Sequence, residues 1–179
     1  MLFAELASFQ PFDEHQLAAA DQIRFAWQSF GAQLYTRENP VCHFTASAWI
    51  VNPACTHALM VYHNIYHSWS WTGGHNDGNP DFQSVARREA VEETGLSSVS
   101  LLCPGPVRWD TLCVPAHRKN GQAVAPHLHL NATYLYSADE DQPLSAREGE
   151  NSAVRWVPIE AFLLPIYQWL CKQAKLYTK

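Results

Sequence analysis

Charge is sparse in this 179-residue sequence: only 16% of residues are Asp, Glu, Lys or Arg, against 47% hydrophobic. That balance excludes a mainly disordered chain, which needs high charge and few apolar residues. Long apolar runs are missing as well, and a membrane-spanning helix needs about 20 such residues in succession. The five cysteines (Cys42, Cys55, Cys103, Cys113, Cys171) include no CxxC pair, so neither a disulfide framework nor a zinc ribbon is expected. Met1 to Pro11 carry Glu5 but no Lys or Arg, unlike the basic start of a secretory signal. The expectation is a soluble, cytoplasmic protein in a reducing compartment. A formal net charge of -5 disfavours binding to a nucleic-acid polymer. An acidic protein that handles phosphorylated small molecules needs local cations, most simply metal ions.

What is present reads as one domain with an N-terminal extension, since domains cluster near roughly 100–200 residues. Residues 13–38 predict a helix, with Leu17, Ala20, Ile23, Ala26, Trp27 and Phe30 at helical spacing and Asp13 as N-cap. That helix and Asn39-Pro40 form an extension over 1–40, and the main domain spans 41–179. Residues 43–51 and 57–63 predict a hairpin. Residues 67–74 predict turns. Residues 79–95 predict the clearest helix, with Asn79 as N-cap, Pro80 in the first turn and Gly95 as a left-handed C-cap. Strands follow at 98–103, 107–114 and 127–137, with a loop around Asn120-Gly121. An acidic loop covers 138–152. A strand from 154 runs into a helix near Ile159, broken or kinked at Pro165. Helices alternating with strands point to the α+β class: a layered α/β/α sandwich on a mixed sheet.

The helix after Pro80 is unusual. At about 100° per residue, Glu89 and Glu93 fall on the arc of Phe82, Val85 and Ala86, with Glu92 beside it. Carboxylates near a helix C-terminus oppose the macrodipole at roughly 0.3–1 kcal/mol each, and these also repel one another. One alternative is a last turn frayed into solvent. The other is a compensating cation, for which oxygen-only ligands suit Mg²⁺ or Mn²⁺.

The stretch GHNDGNPDFQSVARREAVEETGL, Gly74 to Leu96, resembles the Nudix box. Gly74, Arg88, Glu89, Ala90, Glu92, Glu93, Gly95 and Leu96 are in register, and Pro80 stands where the family has its first Glu. From residue frequencies, a chance match of this quality is on the order of 10⁻⁴. Trp69 to Gly74 is a variant of the family's approach to the box, and Arg155-Trp156-Val157-Pro158 matches its closing strand.

The resemblance implies a Nudix-type mixed sheet flanked by helices and metal-dependent hydrolysis of a diphosphate linkage in a nucleotide-type substrate. It implies Glu89, Glu92 and Glu93 as metal ligands, a backbone carbonyl at Gly73 as another, and Arg88 as the residue that orients the carboxylates. The general base is Glu89 or a loop carboxylate, Glu148 or Glu150. Asp77 and Asp81 are nearby substitutes for the Glu lost at Pro80. A degenerate Nudix domain that binds a nucleotide without hydrolysis is the alternative. An isoprenoid diphosphate isomerase, which would need a reactive cysteine, finds no matching motif.

Nine histidines and seven tryptophans remain. His127 and His129 alternate on a strand and share a face, but no Cys or carboxylate joins them at zinc spacing. Strand packing is the expectation, with His75 as the candidate substrate contact beside the box. Trp71 and Trp69 are candidates to stack a base, or else fill the layer under the sheet. The apolar face of residues 17–30 suits a core, a lid or a homodimer.

Overall fold

The computed structural model describes residues 6, 9, 11, 13–119 and 121–178. The chain divides into two compact units: Met1–Ala46 with Gly74–Val85 and Gly105–Thr133, and Ser47–Gly73 with Ala86–Pro104 and Tyr134–Lys179. Much of the N-terminal segment without basic residues, and Asn120 in the expected loop, lie outside the described residues.

In the first unit, helix α1 (Glu14–Phe30) begins at Asp13, whose side chain accepts from the Gln16 N–H at 2.8 Å. It stops sooner than residue 38. Gly31 turns into positive φ (54°) and the chain tightens into a 3-10 turn, Gly31–Tyr35. Gly has no Cβ to oppose that geometry. Trp27, Tyr35, Phe44, Phe82 and Trp109 then build an aromatic core with ring centroids 5.1–6.2 Å apart. Strand β1 (Cys42–Val51) brings Phe44 to that core. Its alternate residues, His43 and Thr45, face the other way and are buried too.

In the second unit the strand β2 (His57–His63) pairs antiparallel with the end of β1, Val51 opposite Ala58. The turn-rich stretch expected at 67–74 is instead two short strands, β3 (Ser68–Ser70) and β4 (Thr72–His75), which pair with β2 and β1. Short strands rich in Ser, Gly and Trp carry too little periodicity to be read as such.

The central helix, α2, spans Phe82–Thr94. Its cap is Asp81 and not Asn79: the Asp81 carboxylate accepts from the Ser84 N–H at 3.1 Å. Asn79 binds the Asp81 N–H instead, at 2.9 Å, so Pro80 is exposed ahead of the helix. Gly95 ends α2 at φ 73°, as expected, with its N–H on the Val91 carbonyl at 3.0 Å.

After α2 come β5 (Ser100–Leu101), shorter than expected, and β6 (Arg108–Val114). A separate ribbon joins β7 (His117–Lys119) to β8 (Gln122–Val124) around the Asn120-Gly121 position. Strand β9 (His127–Ser137) has the expected bounds, and β10 (Asn151–Pro158) begins earlier than residue 154. The eight-stranded sheet runs β10-β2-β1-β9-β5, with β6 on β9. Helix α3 (Pro165–Tyr177) starts at Pro165 rather than near Ile159. Proline is well suited to a first turn, where its missing N–H costs nothing, and Ile159–Ala161 forms only a 3-10 turn. No described helix is long and apolar enough to cross a membrane. The helix-and-strand order thus gives the α+β class expected.

Candidate active site

Glu89 and Glu93 lie one turn apart on α2 and are 7% and 4% exposed. They occupy the buried stripe of the helix because the same periodicity that buries Ala86 and Ala90 carries them inward. Glu92 sits at the edge of that stripe with its side chain 41% exposed.

Glu93 is held by two neutral donors. The Gly73 N–H reaches Oε1 at 3.0 Å and the Asn151 side-chain amide reaches Oε2 at 3.1 Å. Thus it is the N–H of Gly73 that meets Glu93. Burial pushes the Glu93 carboxyl up to about 7, against those two bonds and with repulsion from Glu89 and Glu150 adding to it. Burial raises Glu89 as well, opposed chiefly by its hydrogen bond to Arg88.

Two arginines brace the cluster. Arg88 donates to Glu89 Oε1 at 2.7 Å through a terminal nitrogen and approaches Glu92 at 4.0 Å. Arg147 donates to Glu92 Oε2 at 2.8 Å and to Glu89 Oε2 at 3.5 Å, and pairs with Glu150 at 3.3 Å. The Arg147 loop is fastened to the end of α2: the Ser145 N–H donates to the Thr94 carbonyl at 2.8 Å. The Asn151 N–H then closes a turn onto the Arg147 carbonyl at 3.0 Å. Gly95 permits this docking, since a Cβ there would lie 2.9 Å from the Ser145 backbone nitrogen.

The fold therefore brings Glu89, Glu92, Glu93, Arg88, Gly73 and Glu150 into one network. Arg147 and Asn151 are additions that sequence reasoning missed. Arg147 was visible as the sole cation of the acidic 138–152 segment. Asn151 gave no signal.

A carboxyl pushed up by its own burial, with two further carboxylates beside it, is a poor arrangement without a positive charge, and a divalent cation supplies one compactly. An all-oxygen donor set fits Mg²⁺ or Mn²⁺.

Trp71 packs edge-on to Trp49 and Tyr167, at centroid separations of 6.2 and 5.5 Å. The face of Trp69 is covered by the Arg155 guanidinium, 4.1 Å from the ring centroid. His75, at the end of β4, stands in the first unit among His43 and His129, with ring centroids 5.0 and 4.8 Å away. Burial and the neighbouring imidazoles push His129 down to about 3, and burial lowers His43 too.

Residues 43–177 match the NUDIX domain. Among solved structures, the chain is similar to a NUDIX-family hydrolase from Clostridium perfringens. The TM-score is 0.57 and the identity 22%, over 75% of this chain and 97% of that one. It is also similar to an Ap4A hydrolase from C. elegans, with TM-score 0.53 and 17% identity over 75% of this chain and 96% of that one. At these identities the likeness is one of fold. No curated protein matches the chain.

Proposed function

The chain belongs to the Nudix family, and on that premise we propose that it is a Mg²⁺- or Mn²⁺-dependent pyrophosphohydrolase. Its substrate is a small nucleotide-type molecule in which a nucleoside diphosphate is linked to another group, cleaved by water at phosphorus. The observation that carries this reading is the face of α2 on which two buried glutamates and a third at its edge meet two arginines.

Family members typically use divalent metals. Here Glu89, Glu92 and Glu93 would hold the ion, with the Gly73 carbonyl as a further oxygen. When bound, the ion neutralises charge on the phosphoryl oxygens and acidifies water. Everything else falls to the chain's own groups. Gly73 N–H and the Asn151 amide fix the Glu93 carboxylate and favour its charged form. Arg88 is a positioning residue: its planar fork sets the orientation of Glu89. The proton of the attacking water goes to Glu89 or to Glu150. Glu150 is half exposed, and its Oε2 is steered by Arg147 at 3.3 Å. Trp71, in the same unit as the carboxylate cluster, is the proposed substrate contact.

The test is ³¹P NMR of a panel of nucleoside diphosphate derivatives incubated with the protein and Mg²⁺ or Mn²⁺. Cleavage between two phosphates that stops on chelation supports the reading. Glu150→Gln separates the two bases: it loses turnover with metal affinity intact if Glu150 is the base, and keeps turnover if the base is Glu89, whose own Gln variant loses metal affinity and turnover together.

One observation favours a second reading. Pro80 replaces the family's first Glu and stands exposed, while Asp81 is engaged in capping. A degenerate domain that binds nucleotides without hydrolysis would give ligand-induced thermal stabilisation and no new ³¹P resonance.

A further inference from the structure

The first unit holds a second cluster of ligand-type side chains, and its chemistry is the opposite of the carboxylate face. His43 comes from β1, His75 from the end of β4, and His127 and His129 from β9; β4 and β9 each pair with β1. His127 and His129 share a face because strand residues two apart do. Sequence spacing could not reveal the set, since its members come from three strands.

The geometry is close. One ligand atom each from His43, His75 and His129 lies within 4.8 Å of the others. His127 Nε2 is 3.3 Å from His129 Nε2. With Zn–N bonds of about 2.0–2.1 Å, ligand nitrogens of a tetrahedral zinc site stand roughly 3.3 Å apart. The three rings therefore need to close by only about 1.5 Å, a shift within reach of side-chain rotation.

The hydrogen bonds also point inward. His43 Nδ1 bonds the Asn39 carbonyl at 3.3 Å and His127 Nδ1 bonds the Ala125 carbonyl at 2.9 Å. A carbonyl only accepts, so both Nδ1 atoms carry the proton and both Nε2 atoms present a lone pair. A metal-binding histidine has its second nitrogen fixed in this way. His43 is 5% exposed, and its Nε2 is buried with no hydrogen-bond partner among the described residues. A buried lone pair without a donor costs free energy unless something positive meets it. The carboxylate of Asp77, two residues after His75, is engaged by Arg37 at 2.6 and 2.7 Å. The set is thus all imidazole.

We propose that His43, His75 and His129 bind a divalent transition-metal ion of zinc type, with His127 as the outer partner that orients His129. Neutral imidazoles suit Zn²⁺ or Co²⁺ and not Mg²⁺ or Mn²⁺, which prefer oxygen. Three histidines leave a fourth position for water or an anionic oxygen, as in zinc sites that bind a reactant. The proposal is independent of the pyrophosphohydrolase reading, because the α2 carboxylates take no part in it.

The test uses the full chain, stripped with a chelator and titrated with Zn²⁺ against a chromophoric chelator, and separately with Co²⁺. The expected result is one tight Zn²⁺ per chain that survives Glu93→Gln. His129→Gln and His43→Gln weaken it by more than about 100-fold, and His127→Gln by about 10–100-fold, the range of an outer partner. Co²⁺ in the wild-type protein gives the intense visible absorption of a four-coordinate site, a readout that needs no variant to fold. Zn²⁺ binding unchanged in both His43→Gln and His129→Gln overturns the proposal. So does binding lost with Glu93→Gln, or the pale spectrum of six-coordinate Co²⁺.

Discussion

Replacing Glu93 by Gln should stabilise the metal-free protein and abolish hydrolysis. The folded-state carboxyl sits at about 7 against an ordinary 4.5, and the side chain is 4% exposed. Between those two values the folded state binds more protons than the unfolded state, so stability falls as pH rises through the window. A shift from 4.5 to about 7 corresponds to about 3 kcal/mol, fully felt above pH 7. Gln carries no charge and escapes that cost. Its amide nitrogen would face a donor, the Asn151 amide, but the Asn151 Oδ1 is buried with no hydrogen-bond partner among the described residues. A flip of the Asn151 amide turns that oxygen toward Gln and restores an acceptor–donor match. Urea unfolding in chelator should therefore show Glu93→Gln more stable than wild type by about 2–3 kcal/mol at pH 8, shrinking to near zero by about pH 4.5. Saturating Mg²⁺ should reverse the order, because ligand binding stabilises only the chain that binds it. A variant destabilised equally at both pH values in chelator would refute the reasoning, since it would mean that Glu93 serves packing and hydrogen bonding rather than storing charge for a cation.

Asn151→Ala removes a hydrogen bond to a charged group, about 1.5–3 kcal/mol, so the Glu93 carboxyl rises by a further 1–2 units or so. The acid limb of kcat/KM against pH should move to higher pH by that amount; an unmoved limb counts against the role given to Asn151. Arg147→Gln takes a cation away from Glu89, Glu92 and Glu150. Mg²⁺ should then bind more tightly while kcat drops on the order of 10–100-fold, as an ill-placed base does; weaker Mg²⁺ binding would contradict this. Gly95→Ala combines a φ of 73° with a Cβ 2.9 Å from the Ser145 backbone. A loss of about 2–4 kcal/mol is expected in thermal or urea unfolding, with activity falling alongside because the Arg147 loop is displaced.

Legibility followed periodicity. The β9 bounds, the β1–β2 hairpin, the Asp13 cap and the Gly95 cap were all written in local patterns. The same helical arithmetic places Glu89 and Glu93 on the buried face of α2. Competing caps were not resolvable: Asn79 and Asp81 are both good N-cap residues, and the outcome turned on Asn79 binding the Asp81 N–H. The short strands β3 and β4 exist through pairing with β2 and β1, which no local signal reports. Arg147 and Asn151 reach α2 across more than 50 positions of chain, and the imidazole cluster draws on three strands. Contacts made by tertiary folding leave little local trace, whereas the helix face that receives them does.

The most direct measurement of the central claim is hydrolysis in ¹⁸O-labelled water followed by ³¹P NMR, with wild type and Glu93→Gln compared across a Mg²⁺ and Mn²⁺ titration. The account predicts wild-type cleavage of a diphosphate linkage with one ¹⁸O entering a phosphoryl product, rate rising with metal, and no cleavage in Glu93→Gln at any metal concentration. Undiminished cleavage by Glu93→Gln, or cleavage indifferent to chelation, would contradict it.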